Sequence, residues 1–338
     1  MEEGRLARAE RRLSPGCRPL NGRDPPHAPR ASTPLLFAFA VAASAATAGC
    51  QQRAHDIEWN DTVVKGIEAW RAKHEADYRR DWATIEGLHF LSAGLHSAGS
   101  GPDNDIVLSA AFPLRIGRFT VADNKVEFDP EPGAAITING KAPRSATLRD
   151  DSEDESDEIQ ANGASVVVHR SGERIALRVR DANGERAREF RGFTWFPINR
   201  DYRVTGRFVR DASPHQDHVV NTFGDIDTYQ SEGVLQFTLN GQTLSLRPFT
   251  TRPKHFYIVF NDATSGNETY EAARFLTAAL RDDGTTILDF NEAYNPPCAF
   301  NPFTTCPIPL PENQLRASVL AGERKYAGHV ELPLADKH

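Results

Sequence analysis

Methionine is nearly absent from this 338-residue chain: Met1 is the only one. That leaves open a bacterial start at a non-Met codon further along. Residues 1–29, rich in Arg and Pro and without apolar periodicity, then read as disordered or untranslated. Cysteine is scarce as well, with four in all. No apolar run is long enough to cross a bilayer comfortably; the longest is Leu35–Ala48, 14 residues. Positive charge is not in excess, since the formal net charge is −7. The first 49 residues contribute +3 to that sum, so the remainder stands at −10, which argues against non-specific nucleic-acid binding. Also missing are a glycine-rich phosphate loop, a G-x-S-x-G elbow and an H-E-x-x-H helix, and with them the motif-level signatures of phosphate-loop enzymes, α/β-hydrolases and zinc proteases.

The short apolar run suits the core of a signal peptide, with Arg30 as its positive flank. It ends in "TAGC", Thr47–Cys50. Small residues followed by Cys resemble the bacterial lipobox, with Thr47 where Leu is usual. The expectation is lipidation at Cys50 and a membrane partner reached through that anchor. Gln51 in place of Asp favours the outer membrane, facing the periplasm, as the location. Cys17 falls in the leader, which leaves Cys298 and Cys306 in an oxidising compartment.

Ile57–Ile85 reads as an amphipathic helix, with Val63, Ile67, Trp70, His74 and Tyr78 on one face. Trp59, Trp70 and Trp82 read as anchors onto the body. After Gly87 the pattern changes to short alternating segments separated by turn residues. The fold class is therefore mainly β: an N-terminal helix, a small sandwich-like half, and a second antiparallel half closed by a Pro-rich strap. The expected divisions are leader and signal peptide 1–49, anchored N-terminus and helix 50–86, sandwich-like half 87–148, acidic loop 149–164, and second half 165–332. Asn240-Gly241 between two alternating runs is the strongest hairpin signal. Arg191–Pro197 reads as a strand, Glu271–Leu280 as a short helix, and "HQDH", His215–His218, as a polar loop. The acidic stretch Arg149–Glu158 reads as a solvated loop; its spacing is not that of an EF-hand, and no metal or other cofactor is assigned.

Two apolar strands each end in an aspartate followed by polar residues: "YIVFNDATSGNETYEAARFL" and "TILDFNEAYNPPCAF". Strand ends are where β scaffolds display functional groups. Asp262, Tyr270, Asp289 and Tyr294 are the candidate catalytic residues. Thr264, Thr269, Arg274, Asn291 and Asn295 are the candidate ligand contacts, although Asx turns and a structural ion pair would explain the same residues. From Pro296 to Pro311 six prolines exclude helix and central strand, which suggests a rigid strap whose asparagines replace missing backbone bonds. Cys298 and Cys306 are expected to close a disulfide loop within it.

The stretches "FNDATSGNETYEAARFL" and "LDFNEAYNPPCAFNPFTTCPIPLPENQLRASVLAGERKY" resemble the bacterial family named domain of unknown function 1684. The likeness extends more weakly from Trp59 to Tyr326, and it implies domain limits but no activity. Within it, "GSGPDNDIVL", "IGRFTV" and "ITINGK" are similar to forkhead-associated sandwiches. The phosphothreonine-reading residues of those domains are absent, so only a sandwich shape is implied for residues 87–141. Two functions stand open: a binding or scaffolding protein of the envelope with a polar ligand at Asp262 and Asp289, or an envelope hydrolase using the four candidate residues. In both cases the ligand or partner is an unidentified envelope component.

Overall fold

The computed structural model describes residues 57–153 and 155–328. The leader and Cys50 lie outside the described residues. Helix α1 spans Asp61–Asp81, shorter at both ends than the Ile57–Ile85 expected. Asn60 caps it by accepting from the Val63 amide at 3.0 Å, and Arg79 and Arg80 sit at the end where the helix dipole favours cations. Its inner face carries Ile67, His74 and Tyr78.

Ten strands then build a two-sheet sandwich. They are β1 (Ile85–Leu91), β2 (Gly94–Gly99), β3 (Ile106–Val107), β4 (Gly117–Ala122), β5 (Lys125–Pro130), β6 (Thr137–Ile138), β7 (Ala146–Leu148), β8 (Glu158–Ala161), β9 (Ala164–Ser171) and β10 (Arg174–Asp181). One sheet runs β1-β10-β9-β8-β6 and the other β3-β2-β4-β5-β7. Alternating residues such as Phe119, Phe128, Val166, Leu177 and Val179 meet between them in one core. The β9–β10 hairpin was expected in the second half, but it completes this first sandwich. Its inward-facing Val and Leu residues join that core, so the hairpin packs with the first sandwich. The acidic stretch is also less solvated than expected: Asp151 accepts from Arg178 at 3.0 Å and lies 2.7 Å from His169 Nδ1, while Asp157 pairs with Arg149 at 2.9 Å.

The short helix α2 (Glu185–Glu189) leads to the second body. Its strands are β11 (Arg203–Val220), β12 (Ile226–Leu239), β13 (Gln242–Leu246), β14 (Phe249–Arg252), β15 (His255–Phe260), β16 (Arg274–Ala279) and β17 (Thr285–Asp289). They form sheets β13-β12-β11-β17 and β14-β15-β16. Asn240 and Gly241 take φ of 51° and 76°, the left-handed pair that the tight β12–β13 turn requires. Leu235, Phe237, Ile258, Phe260, Leu276 and Leu288 fill the space between the sheets. The opposite face of β15 and β16 offers Tyr257, Val259 and Phe275 to a third layer made of α1 and the strap. The protein is mainly β, with antiparallel sheets, an N-terminal helix and, among the described residues, no closed barrel.

Three local expectations are corrected. Glu271–Leu280 contains a strand, not a helix: β16 pairs with β15 on one side, and Phe275 exchanges backbone bonds with Tyr294 on the other. Those bonds and the alternation of Phe275 and Leu276 between two cores override its helix-forming residues. His215–His218 lies inside strand β11. Arg191–Pro197 forms no strand and makes a single bridge, Trp195 to Glu323.

The Pro-rich segment is interior, not a superficial strap. Asn291, Asn295, Asn301 and Asn313 are at most 2% exposed. Asn301 Nδ2 donates to Trp82 O and Ile85 O at 3.0 and 2.7 Å. Asn313 Nδ2 donates to Arg247 O and Val259 O, while its Oδ1 accepts from Arg247 N. Side-chain amides thus supply the bonds that a proline-interrupted backbone cannot make.

Cys298 and Cys306 are buried free thiols, which corrects the expected disulfide. The Cys306 sulfur accepts from the Cys298 amide at 3.4 Å, and both pack in the apolar layer under α1. Burial raises the Cys298 thiol well above its usual pKa, and the neighbouring Cys306 adds to the shift. Both cysteines are therefore expected to resist iodoacetamide in the native protein and to react on unfolding. Dithiothreitol should leave Tm unchanged, and a Tm that falls on reduction would contradict the thiol state.

Candidate functional site

The aspartate after β15 is enclosed. Asp262 Oδ1 accepts from the Thr264 amide and hydroxyl at 2.8 and 2.7 Å and from Val319 N at 3.1 Å, while Oδ2 accepts from Arg274 Nη1 at 2.7 Å. Both side chains of this ion pair are 0% exposed. Arg274 also donates to Val319 O and Ala321 O, tying the chain end to β16. Burial lowers the Arg274 pKa, and Asp262 opposes that shift. Thr264 and Thr269 bond one another at 2.8 Å.

The aspartate closing β17 has a different set of partners. Asp289 pairs with Arg203 and accepts from Asn291 N and Nδ2 at 3.1 and 2.8 Å. Asn291 in turn bonds Asn199. Tyr270 is 0% exposed, and its hydroxyl faces Cys298; burial raises its pKa, with Cys298 adding to the effect. Asn295 holds the buried Glu323 through its amide and its Nδ2, at 2.9 and 2.7 Å. Asp262, Tyr270 and Asp289 thus bind separate parts of the fold, whereas Tyr294 lines a cavity.

That cavity, of about 320 Å³, opens between α1 and the β14-β15-β16 sheet. The helix contributes Trp70, Lys73, His74 and Asp77. The sheet contributes Arg252, His255, Phe256, Thr277, Ala278 and Ala279, and the turn after β17 adds Glu292 and Tyr294. Arg71 clamps the helix to the turn by donating to Asn291 O at 2.9 Å and Phe196 O at 3.0 Å. Trp70 stacks on His74 at 5.0 Å, and the His74 ring lies 4.6 Å from Tyr294, giving one wall a rigid aromatic character. Burial raises the Glu292 pKa to about 7; nearby Asp289 adds to the shift, and Arg203 and Arg71 oppose it. The site joins aromatic surface, cations and a carboxyl that gains or loses its proton near neutrality. It can hold a small molecule and exchange a proton with it.

Trp70, His74, Arg252, His255 and Glu292 were not among the sequence candidates. The spacing puts Trp70 and His74 on one helix face; Trp70, expected as an anchor onto the body, also forms a cavity wall with His74. Glu292 carried no signal, because its character comes from burial beside Asp289. Among the described residues, no group of three His, Cys, Asp or Glu side chains is placed to hold a metal ion.

The fold and cavity define a mainly-β protein with two bodies, whose second body carries a helix-covered cleft. Residues 188–324, which span most of that second body and the interior Pro-rich segment, match the family described as protein of unknown function DUF1684. Over that stretch the chain resembles this family. Helix α1 lies outside the match. The chain is also similar to an uncharacterized protein of Haloarcula marismortui, solved in solution by NMR, at 29% identity over 44% of this chain and 85% of that one, with a TM-score of 0.37. No curated protein matches.

Proposed function

We propose that this chain is a small-molecule-binding protein of the bacterial envelope, lipid-anchored at Cys50 and taking its ligand in the cleft between α1 and the β14-β15-β16 sheet. The cleft carries the reading: about 320 Å³ of space with an aromatic wall and polar groups converging from three elements. Binding is favoured over hydrolysis because Asp262, Tyr270 and Asp289 have separate partners within the fold. The ligand contacts accordingly move from Asp262 and Asp289 to Glu292, Tyr294 and the helix. The anchor and the outer-membrane location rest on the apolar run, the "TAGC" sequence and Gln51.

Thr277 lines the cleft from β16, and Thr277→Phe would fill it. Small molecules released from protein purified from its own host should include one that mass spectrometry no longer finds with Thr277→Phe. Identical profiles from the two proteins would remove the binding reading. For the anchor, Cys50→Ser should release the protein from the membrane fraction or block its processing. Unchanged fractionation and mass would rule out lipidation there.

A further inference from the structure

Resting on the cleft reading above, we propose that the ligand is a neutral aromatic molecule carrying an amide or hydroxyl group: a flat ring against Trp70 and Tyr294, with its polar group toward Glu292, Thr277 and His255. The first argument is hydrogen-bonding capacity that the protein leaves unused in the lining. Among the described residues, none hydrogen-bonds or ion-pairs with the Glu292 carboxyl; Asp289, Arg203 and Arg71 act on it only through space. The Thr277 hydroxyl likewise has no hydrogen-bond partner among the described residues. His255 Nδ1 lies 3.0 Å from Pro253 O. A carbonyl only accepts, so Nδ1 donates and Nε2 of the neutral ring keeps its lone pair. Polar groups enclosed in this way ordinarily have partners, and here the molecule in the cleft supplies them. An amide or hydroxyl can both donate to and accept from this set.

The second argument is that the fixed charges around the cleft are matched within the protein. Lys73 pairs with Asp77, and Asp77 also takes Arg80 at 2.8 Å, which is shared in turn with Asp81. Arg203 pairs with Asp289, and Arg252 is likewise engaged within the protein. Glu292 is held toward its neutral form, by burial first and then by Asp289. A charged ligand would therefore give up its hydration without gaining a counter-charge, a cost that a neutral one avoids. The third argument is the shape of the walls. The ring centroids of Trp70 and Tyr294 lie 6.0 Å apart, and Trp70 is stacked on His74, so the aromatic side is fixed. On the sheet, Thr277 pairs with Tyr257 and Ala279 with His255, which puts these small residues on the side turned to α1. Small residues opposite fixed rings leave room for a flat one.

The test uses benzamide, benzoate and benzamidine, which share one ring and differ in charge, and N,N-dimethylbenzamide, which lacks the N–H donors. Each is titrated calorimetrically into the intact protein at neutral pH. Benzamide should bind about tenfold more tightly than benzoate and benzamidine. It should also bind several-fold more tightly than N,N-dimethylbenzamide. Thr277→Phe should abolish its binding. Glu292→Gln should keep it, because the side-chain amide still donates and accepts, whereas Glu292→Leu should weaken it about fivefold. Thr277→Val, which removes only the hydroxyl, should weaken it several-fold.

Equal or tighter binding of benzoate or benzamidine would overturn the neutral class and leave the cleft as a ligand site. Undiminished binding of N,N-dimethylbenzamide, or of benzamide to Glu292→Leu and Thr277→Val, would overturn the hydrogen-bonding assignment. Benzamide that still binds Thr277→Phe lies outside the cleft, and the proposal then fails. If no probe binds while Thr277→Phe still removes a host molecule, the ligand class is wrong and the binding reading stands. If no probe binds and Thr277→Phe changes nothing, both fall.

Discussion

Asp262→Asn is expected to destabilise the fold by about 3–5 kcal/mol, because it leaves the buried Arg274 guanidinium without its counter-charge. For a body of this size that corresponds to a Tm lower by about 6–20 °C. The residue lies at a strand end, where a functional carboxylate would also be expected, so the direction of this result is informative. A site residue is usually replaceable with little loss of stability, whereas this one closes a network joining β15, β16 and the chain at Val319 and Ala321. Arg274→Met should be similarly harmful alone, since it strands the carboxylate. In the double variant Asp262→Asn with Arg274→Met, the losses should be markedly less than additive, because no buried charge remains. Urea unfolding of the four proteins gives the cycle. Near-wild-type stability of Asp262→Asn would restore Asp262 as a site candidate.

The second large effect is the dependence of stability on pH. Glu323 is 1% exposed, and burial raises its pKa to about 7 against a usual 4.5; His74, Asn295 and Arg274 pull the other way. Glu292 is shifted to the same value. Below the usual carboxyl pKa these groups are protonated in folded and unfolded chains alike, and their contribution is fully present. As pH rises toward 7 the unfolded chain releases the protons and the folded protein retains them, so stability falls. A shift of this size corresponds to on the order of 3 kcal/mol for Glu323, with Glu292 acting in the same direction. Asp157, whose pairing with Arg149 lowers its pKa to about 2, works in the opposite sense but is ionised in both states across this window. Urea midpoints should therefore decline between pH 5 and pH 8. Glu323→Gln should flatten the decline and be more stable than the wild type at pH 8. The group placed to counter this is His74, whose Nε2 lies 3.9 Å from Glu323 Oε2 and whose protonation would favour the carboxylate. A flat or rising wild-type profile would reject the prediction.

What the sequence determined by itself is local and periodic. The helix face of Ile67, Trp70, His74 and Tyr78, the alternation in β4, β5 and β10, and the Asn240-Gly241 turn all follow from residue spacing and backbone preference acting over a few positions. The likeness to domain of unknown function 1684 was legible too, because it lies in a long, unusual run of prolines, asparagines and aromatics. Tertiary structure decided the rest. It made Glu271–Leu280 part of a strand, because two neighbours offered backbone partners. It assigned the β9–β10 hairpin to the first sandwich, where its apolar face could be covered. It drew the Pro-rich segment into the interior, where its asparagines bond distant carbonyls and its cysteines remain thiols. Most consequentially, it paired Asp262 with Arg274 and left Glu292 beside Asp289 in a partly closed cleft. Carboxylates in one sequence look alike; whether one becomes a buried strut or a proton-exchanging group depends on the partners and the desolvation that only the folded chain supplies.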